Sequence, residues 1–432
     1  MRALTLAAAL LCVSLQPAAV ASQPEETALD QWDAGAAWDE FESLLRGVYA
    51  YIERSDIDVD AQLARSKALA VKAPDKAAFR KIIHQTALTF MDPHLIIGPF
   101  DDSDYAIVMT AADMSARFLE DEAVIEDVRR DSPAFEAGLR PGDTVLAIDG
   151  VTPAEAAVLP FGETLSTPTS AQRDYGLTLA VNGKRGSART LRVRGEDGDA
   201  RSIELASTLQ YARSLSDRDL VTLEFVGEDN DIAHITVLNS LGNNDTITAF
   251  DAVMEKAADA RAVILDMRET PSGGNTEVAR SIIGHFAPEV APYQMHIVPV
   301  YEREFTVPRQ FVEYVYPRAP QYTGPVFLLH GKWTGSMGEG IVIGMDAATQ
   351  AVSIGSDMGD LLGGLWNRDL RLSDARVDLG GEALFHVDGT PREDFVADHP
   401  LMPASTARDG SDPALMIAME LMKEFDDANP SR

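Results

Sequence analysis

The sequence predicts a multidomain α/β fold: a helical N-terminal domain (22–100), a small β domain (101–208) and a larger α/β domain (209–425), behind a leader (1–21). Three observations predict it. Apolar residues recur at three- and four-residue spacing from Ala28 to about Pro99. Short alternating strands broken by turn residues follow from Asp101, and from Asp231 near-continuous apolar strands alternate with helical stretches. At about 150 residues per domain, a chain of 432 residues allows two to three such units.

Met1-Arg2, the apolar run Ala3 to Leu15, Pro17 and the triplet Ala19-Val20-Ala21 form a signal-peptide pattern, with cleavage expected after Ala21. The run is shorter than the ~20 residues of a membrane-spanning helix, and no later segment approaches that length. Export to a periplasm or out of the cell is therefore expected. The only cysteine, Cys12, falls inside the leader, so the mature chain is expected to carry neither a disulfide nor a thiol nucleophile. A formal charge of -31, spread along the whole chain, argues for solubility and against electrostatic binding of nucleic acid or anionic lipid.

In the first domain Trp38, Phe41, Leu44, Leu45, Val48 and Tyr49 make one helical stripe, and Ile82, Ile83, Thr86 and Phe90 repeat it. In the second, the strand Ala123 to Val128 precedes a short capped helix within Asp131 to Leu139. The turn Arg140-Pro141-Gly142-Asp143 and the strand Thr144 to Ile148, closed by Asp149-Gly150, follow. The run Ser132 to Gly150 resembles the second half of a PDZ domain. Val181 to Gly186, Thr190 to Val193 and Ile203 to Leu205 are read as its remaining strands. The resemblance implies that an extended peptide is added as a strand and its terminal carboxylate held by backbone amides. A lid or spacer with an unused groove is the alternative. In the third domain Ile232 to Leu238, Ala262 to Leu265, Val326 to Leu329 and Ala351 to Ile354 are read as buried strands covered by helices.

The strand Val326 to Leu329 runs into His330-Gly331-Lys332-Trp333-Thr334-Gly335-Ser336-Met337-Gly338-Glu339-Gly340, and a helix follows. A serine at a strand-to-helix turn exposes its hydroxyl while the first helical amides face a bound carbonyl, so nucleophile and oxyanion donors arrive together. The other reading is that Ser336 or Thr334 is only an N-cap. Thr-Gly-Ser-Met-Gly-Glu is similar to the nucleophile motif of the C-terminal processing and tricorn-core serine peptidases, in which the serine stands three residues before a glutamate, as Ser336 does before Glu339. The run Val263 to Asn275 resembles the family's strand, Asp-Leu-Arg and Gly-Gly loop. Thr270 stands in it where the family usually has asparagine. The resemblance implies a ClpP/crotonase-like α/β peptidase domain, with Gly273 or Gly274 and the Met337 amide forming the oxyanion hole. Without it, the glycines read equally as a turn or anion site ahead of a helix capped by Asn275.

One branch of the family takes a lysine as base, but no lysine occurs from Leu361 to Leu421, and Lys332 precedes the serine on the incoming turn. The tricorn-like branch takes a histidine from the N-terminal helical domain. Phe90-Met91-Asp92-Pro93-His94-Leu95-Ile96 matches that site, which implies His94 as base, with Pro93 standing where the tricorn pattern has a serine. Neutral imidazole accepts and returns a proton near neutral pH. The downstream glutamate of the resemblance is Glu393, in the run His386 to Pro400, orienting the histidine directly or through a hydroxyl. Glu393 as a plain turn residue is the other reading. Asp92, Lys332 and His386 are second choices, with His330 and Asp394 behind them.

The eight histidines show no His-x-x-x-His spacing, so no metal set is expected, and peptide hydrolysis by serine needs no cofactor. The expectation is an exported serine endopeptidase acting on polypeptides, its PDZ-like domain reading substrate C-termini. A catalytically inactive peptide-binding scaffold on the same frame is the rival.

Overall fold

The computed structural model describes residues 32–53, 57–105, 112–215, 218–271 and 273–428. The leader Met1 to Ala21, with Cys12, lies outside the described residues. Among those residues no helix is long and apolar enough to cross a membrane.

Helices α1 (Ala34–Val48), α2 (Val59–Ala70) and α3 (Lys76–Leu88) each begin on an aspartate, Asp33, Asp58 and Asp75, whose side chain accepts a first-turn amide. Their stripes bury Trp38, Phe41, Leu45, Phe79 and Ile83. Beyond α3 the chain departs from the helical expectation. Ile96–Gly98 forms strand β1, paired antiparallel with Asp378, Val377 and Arg376. Three residues are too few to carry a periodic signal. Yet this strand ties the N-terminal helices into a sheet of the C-terminal region.

The middle region is an antiparallel sheet in the order β2 (Met114–Leu119), β3 (Glu122–Val128), β4 (Thr144–Ile148), β5 (Arg189–Arg194), β6 (Ala200–Leu205). Ser132 caps the short α4 (Pro133–Glu136), as expected. Thr152 caps α5 (Pro153–Ala156). The strand expected over Val181 to Gly186 is absent. Val181 and Asn182 close α6 (Ser170–Asn182), which starts on a Thr169–Gln172 capping box and ends at Gly183, φ 74°. Thr190 to Val193 and Ile203 to Leu205 lie in β5 and β6, as expected.

Helix α7 (Thr208–Ser214) leads into a six-stranded sheet ordered β16 (His399–Pro400), β13 (Val352–Gly355), β12 (Val326–His330), β9 (Ala262–Asp266), β8 (Ile232–Val237), β7 (Val221–Val226). Its pairs are parallel except β7 with β8. α8 (Asp245–Ala257) and α9 (Thr276–Gly284) contribute Phe250, Met254 and Ile282 to the core on one face, and Val263, Leu265 and Leu328 meet them from the strands. A second, antiparallel sheet runs β1, β15 (Ala375–Phe385), β10 (Ala291–Ile297), β11 (Gln310–Val315), with β14 (Gly364–Leu370) on β15. α10 (Pro299–Phe305) precedes β11. α11 (Met337–Ala348) lies between the two sheets, and α12 (Pro413–Ala428) closes the other face of the first through Ala414, Ala418 and Met422.

The middle sheet is locked to the large domain. Asp127 on β3 accepts the amides of Ala404 and Ser405, each at 3.1 Å. The buried Arg129 donates to both oxygens of Glu269 at 3.0 and 2.8 Å.

Candidate active site

Parallel sheets of this kind bind ligands beyond the carboxyl ends of their strands. β12 ends at His330, and the turn behind it delivers Ser336 to the start of α11. Ser336 adopts φ 55°, ψ -116° and makes no side-chain cap bond, so its hydroxyl is not spent as an N-cap. A non-glycine residue there is strained and must be held by its surroundings. Gly335 donates to Thr270 O at 2.9 Å, and a Cβ on Gly335 would stand 2.4 Å from Pro271 O, so only glycine fits. Thr270, at the asparagine position, is buried and its hydroxyl donates to Val237 O at 2.7 Å, tying the ends of β8 and β9 together. The Gly273-Gly274 loop leans on α11, because a Cβ on Gly274 would meet Met337 Cβ at 2.6 Å. Leu241 and Gly242, after β8, close a third side, a part of the site the sequence reading missed. Ser272 lies outside the described residues.

The Ser336 turn and His94 are joined through one dipeptide, Leu361-Leu362. Leu361 N–H donates to Glu339 Oε1 at 3.2 Å, and Leu361 O accepts Arg392 Nη2. Leu362 N–H donates to Asp92 Oδ1 at 3.2 Å, and Leu362 O lies 3.2 Å from His94 Nδ1. All four backbone groups of the bracket are thus engaged, two on each side. A carbonyl only accepts, so Nδ1 carries the proton and Nε2 is left as the basic nitrogen. Burial lowers the His94 pKa to about 4, assisted by the Arg392 guanidinium and opposed by the Leu362 and Gly363 carbonyls.

Asp92 serves the backbone rather than the imidazole. It accepts His94 N–H at 2.8 Å and the Tyr49 hydroxyl at 2.8 Å, and it is buried. Glu339 is wholly buried, and burial pushes its carboxyl up to about 8 against the pull of Arg392, whose Nη2 is 3.0 Å away. Arg392 also donates to Ser336 O at 3.1 Å. The sequence reading passed over Arg392 because arginine is ordinarily a surface residue. Its one signal was its place beside Glu393.

Glu393 lies half-buried on the 3-10 turn Arg392–Asp394, and its charge, after burial, helps raise the pKa of the enclosed Tyr51 hydroxyl. Asp394 is exposed on the same turn. His386 is not brought to the nucleophile. Its Nε2 is 3.2 Å from Asp346, ten residues along α11 from Ser336 and so about 15 Å down the helix axis. Lys332 points between Glu126 and Asp357, at 3.9 and 3.7 Å. His330 is fully buried, its ring tilted against Phe395. Among the described residues no group of three or more His, Cys, Asp or Glu could hold a metal ion.

A cleft of 390 Å³ opens beside this centre, lined by Met91, Pro93, Lys332 and Met358 on one side and by Ala116 and Tyr175 on the other. The second wall is the groove between α6 and β2, the edge strand of the middle sheet, and strand addition needs such an edge. That edge is taken. Ala116 N–H donates to Thr178 Oγ1 at 3.1 Å, Thr178 Oγ1 donates to Ala116 O at 2.8 Å, and Phe118 N–H donates to Asp174 Oδ1 at 2.8 Å. Asn182 Nδ2 donates to Met114 O at 2.8 Å. Asp174, Thr178 and Asn182 are four residues apart, one stripe along α6. Neither this cleft nor a separate cavity of 670 Å³, lined by Arg130, Arg218 and Arg268, is lined by Ser336 or His94.

A family model for the PDZ domain matches residues 124–156. No curated protein matches the chain. Among solved structures, mature CPAF complexed with lactacystin is 12% identical, with 91% of this chain and 97% of that one covered and a TM-score of 0.61. A putative peptidase from Parabacteroides merdae is 14% identical over 89% of this chain and 96% of that one, TM-score 0.55. The photosystem II D1 C-terminal processing protease is 14% identical over 88% and 98%, TM-score 0.52. At such identities the likeness is one of architecture: this chain has the multidomain α/β fold of the C-terminal processing peptidases, with a PDZ domain in its middle region.

Proposed function

We propose that this chain is an exported serine peptidase that cleaves polypeptides through an acyl-enzyme on Ser336. The observation that supports the reading is the Leu361-Leu362 bracket, which ties a strained, uncapped serine to a histidine whose Nδ1 faces a carbonyl, an arrangement that leaves Nε2 the basic nitrogen. Ser336 Oγ attacks the scissile carbonyl carbon while His94 Nε2 takes the hydroxyl proton. The tetrahedral oxygen is received by the Gly273-Gly274 loop and the Met337 amide. The C–N bond then breaks, the amine leaves with the proton from His94, and water, deprotonated by the same nitrogen, releases the acyl group. Glu393 is assigned the orienting of His94, directly or through a hydroxyl; its charge helps raise the pKa of the Tyr51 hydroxyl.

Export would place the mature enzyme, cut after Ala21, in a periplasm or outside the cell; N-terminal sequencing of secreted protein tests this. Reading of substrate C-termini by the PDZ domain requires α6 to leave β2. The peptidase reading is tested by labelling with a fluorophosphonate probe, which reacts with an activated serine. Wild type should label, and Ser336→Ala and His94→Ala should not. A wild type that stays unlabelled in the presence of peptide would turn the reading toward an inactive scaffold.

A further inference from the structure

We propose that Arg392 is a positioning residue of this reaction, holding the Ser336 turn in register with His94 through the Leu361-Leu362 bracket. The proposal rests on the peptidase reading above. Arg392 sits between Pro391 and Glu393 on a single 3-10 turn whose other members are half-buried or exposed, yet it is itself only 3% exposed. An arginine is buried only where its guanidinium hydrogens and charge are taken up. Here they are taken up by the site: Nη1 donates to Ser336 O at 3.1 Å, Nη2 donates to Leu361 O, and the Glu339 carboxyl faces the charge with Oε2 3.0 Å from Nη2. A planar fork serves all three oxygens from one centre, which the single ammonium of lysine does not reproduce.

The need for such a clamp follows from Ser336. Its φ of 55° persists only if neighbouring groups over-determine it. Two donors converge on its carbonyl, Gly340 N–H at 3.2 Å from within α11 and Arg392 from outside it. Gly340 moves with the helix. Arg392 refers the Ser336 carbonyl itself to the bracket that also receives His94, alongside the Glu339 link from the first turn of α11. The guanidinium has a second effect. The groups that face His94 are Arg392 from the 3-10 turn, Asp378 from β15, Asp92 from its own segment and the Leu362 and Gly363 carbonyls. Of these, only Arg392 works with burial to keep the imidazole neutral.

The test compares wild type, Arg392→Lys, the double variant Glu339→Gln/Arg392→Gln and the blank Ser336→Ala. Fluorophosphonate labelling rates are followed against pH, with thermal melts and NMR titration of the His94 imidazole alongside. The double variant leaves no unpaired buried charge, which preserves the fold. Both variants should melt as the wild type does and label about 10²-fold more slowly at their plateau, as expected for a misplaced reacting group. In the double variant the His94 midpoint should rise; in Arg392→Lys, which keeps the charge, it should stay. A folded double variant that labels at the wild-type rate with an unmoved His94 midpoint would make Arg392 a mere counter-charge to Glu339 and overturn the proposal. A wild type that never labels fails the peptidase reading itself, and the positioning role falls with it.

Discussion

The closed β2 edge sets a measurable cost on peptide binding. The perturbation is the double substitution Asp174→Ala/Thr178→Val, which removes the helix side chains that hold Phe118 N–H and both backbone groups of Ala116. A bond to a carboxylate is worth about 1.5–3 kcal/mol and a neutral bond about 0.5–1.5 kcal/mol. All three bonds are only half-buried, so the lower ends apply, and together they hold the groove shut by about 2.5 kcal/mol. A peptide that must displace them binds more weakly by the same free energy, nearly two decades in Kd. The assay is fluorescence anisotropy with fluorescein-labelled decapeptides randomised over their last four positions, with C-terminally amidated versions as controls. The double variant should bind the free-carboxylate pool nearly two decades more tightly than wild type, and amidation should erase the gain. Equal binding by the two proteins would refute the reasoning, because the side-chain bonds would then not compete with the ligand. Binding by neither would leave the domain as a spacer.

Three further outcomes are expected. If His94 is the base, the acid limb of kcat/KM should fall near pH 4 rather than 6.5, because burial holds the imidazole neutral. The same depression means that the stability neutral His94 confers is complete above about 6.5, the unfolded value, and is lost as pH falls through about 4. An acid limb at 6.5 would point to a different group. Gly274→Ala should abolish fluorophosphonate labelling with little change in melting temperature, since the added Cβ meets Met337 Cβ at 2.6 Å on a surface loop rather than in the core. Arg268→Ala should cost about 3–5 kcal/mol in urea unfolding, because it removes the guanidinium that holds Asp266 and Asp412 at 2.7 and 2.8 Å and leaves the buried Asp266 with His234.

What could be read in advance divides along the reach of each interaction. Ser336 is announced by residues within a few positions of it, since the small residues Gly335 and Gly338 are there because Pro271 O and Thr270 O leave no room for a side chain. The helices of the first domain are equally local, with aspartate caps and apolar stripes. His94 is a different case. Its partners lie at Leu362 and, through Asp92, at Tyr49, and the three-residue β1 that pins the segment is beyond any periodic signal. Only a family likeness pointed to it. Arg392 had only its place beside Glu393, and the Leu361-Leu362 bracket had no local signal, because burial of an arginine is decided by distant oxygens. α6 was misread at Val181 for a related reason. Leu177, Ala180 and Val181 face the core, while Asp174, Thr178 and Asn182 on another side are engaged by β2, so its polar residues do not mark a solvent face.

The interlock between the middle sheet and the large domain bears on how the groove could open. Asp127 receives the Ala404 and Ser405 amides, and Thr406 Oγ1 donates to Val128 O at 2.7 Å, all from β3, the strand next to β2. Arg129, immediately after β3, is fully buried against Glu269, at the end of the β9 turn that leads to the Gly273-Gly274 loop. Swinging the whole sheet away would break these contacts together and leave a buried arginine unpaired, a loss of several kcal/mol. Parting only Asp174 and Thr178 from β2, with Leu177, Ala180 and Val181 kept in the core and Asn182 kept on Met114, breaks half-buried bonds worth about 2.5 kcal/mol. The cheaper motion is therefore a local parting of residues 174–178 of α6, a stretch that also lines one wall of the cleft. If the peptidase reading holds, a peptide end that parts Asp174 and Thr178 from β2 would widen that cleft while β3 keeps the Gly273-Gly274 loop where it is, so that access to Ser336 and capture of a substrate end would be a single event.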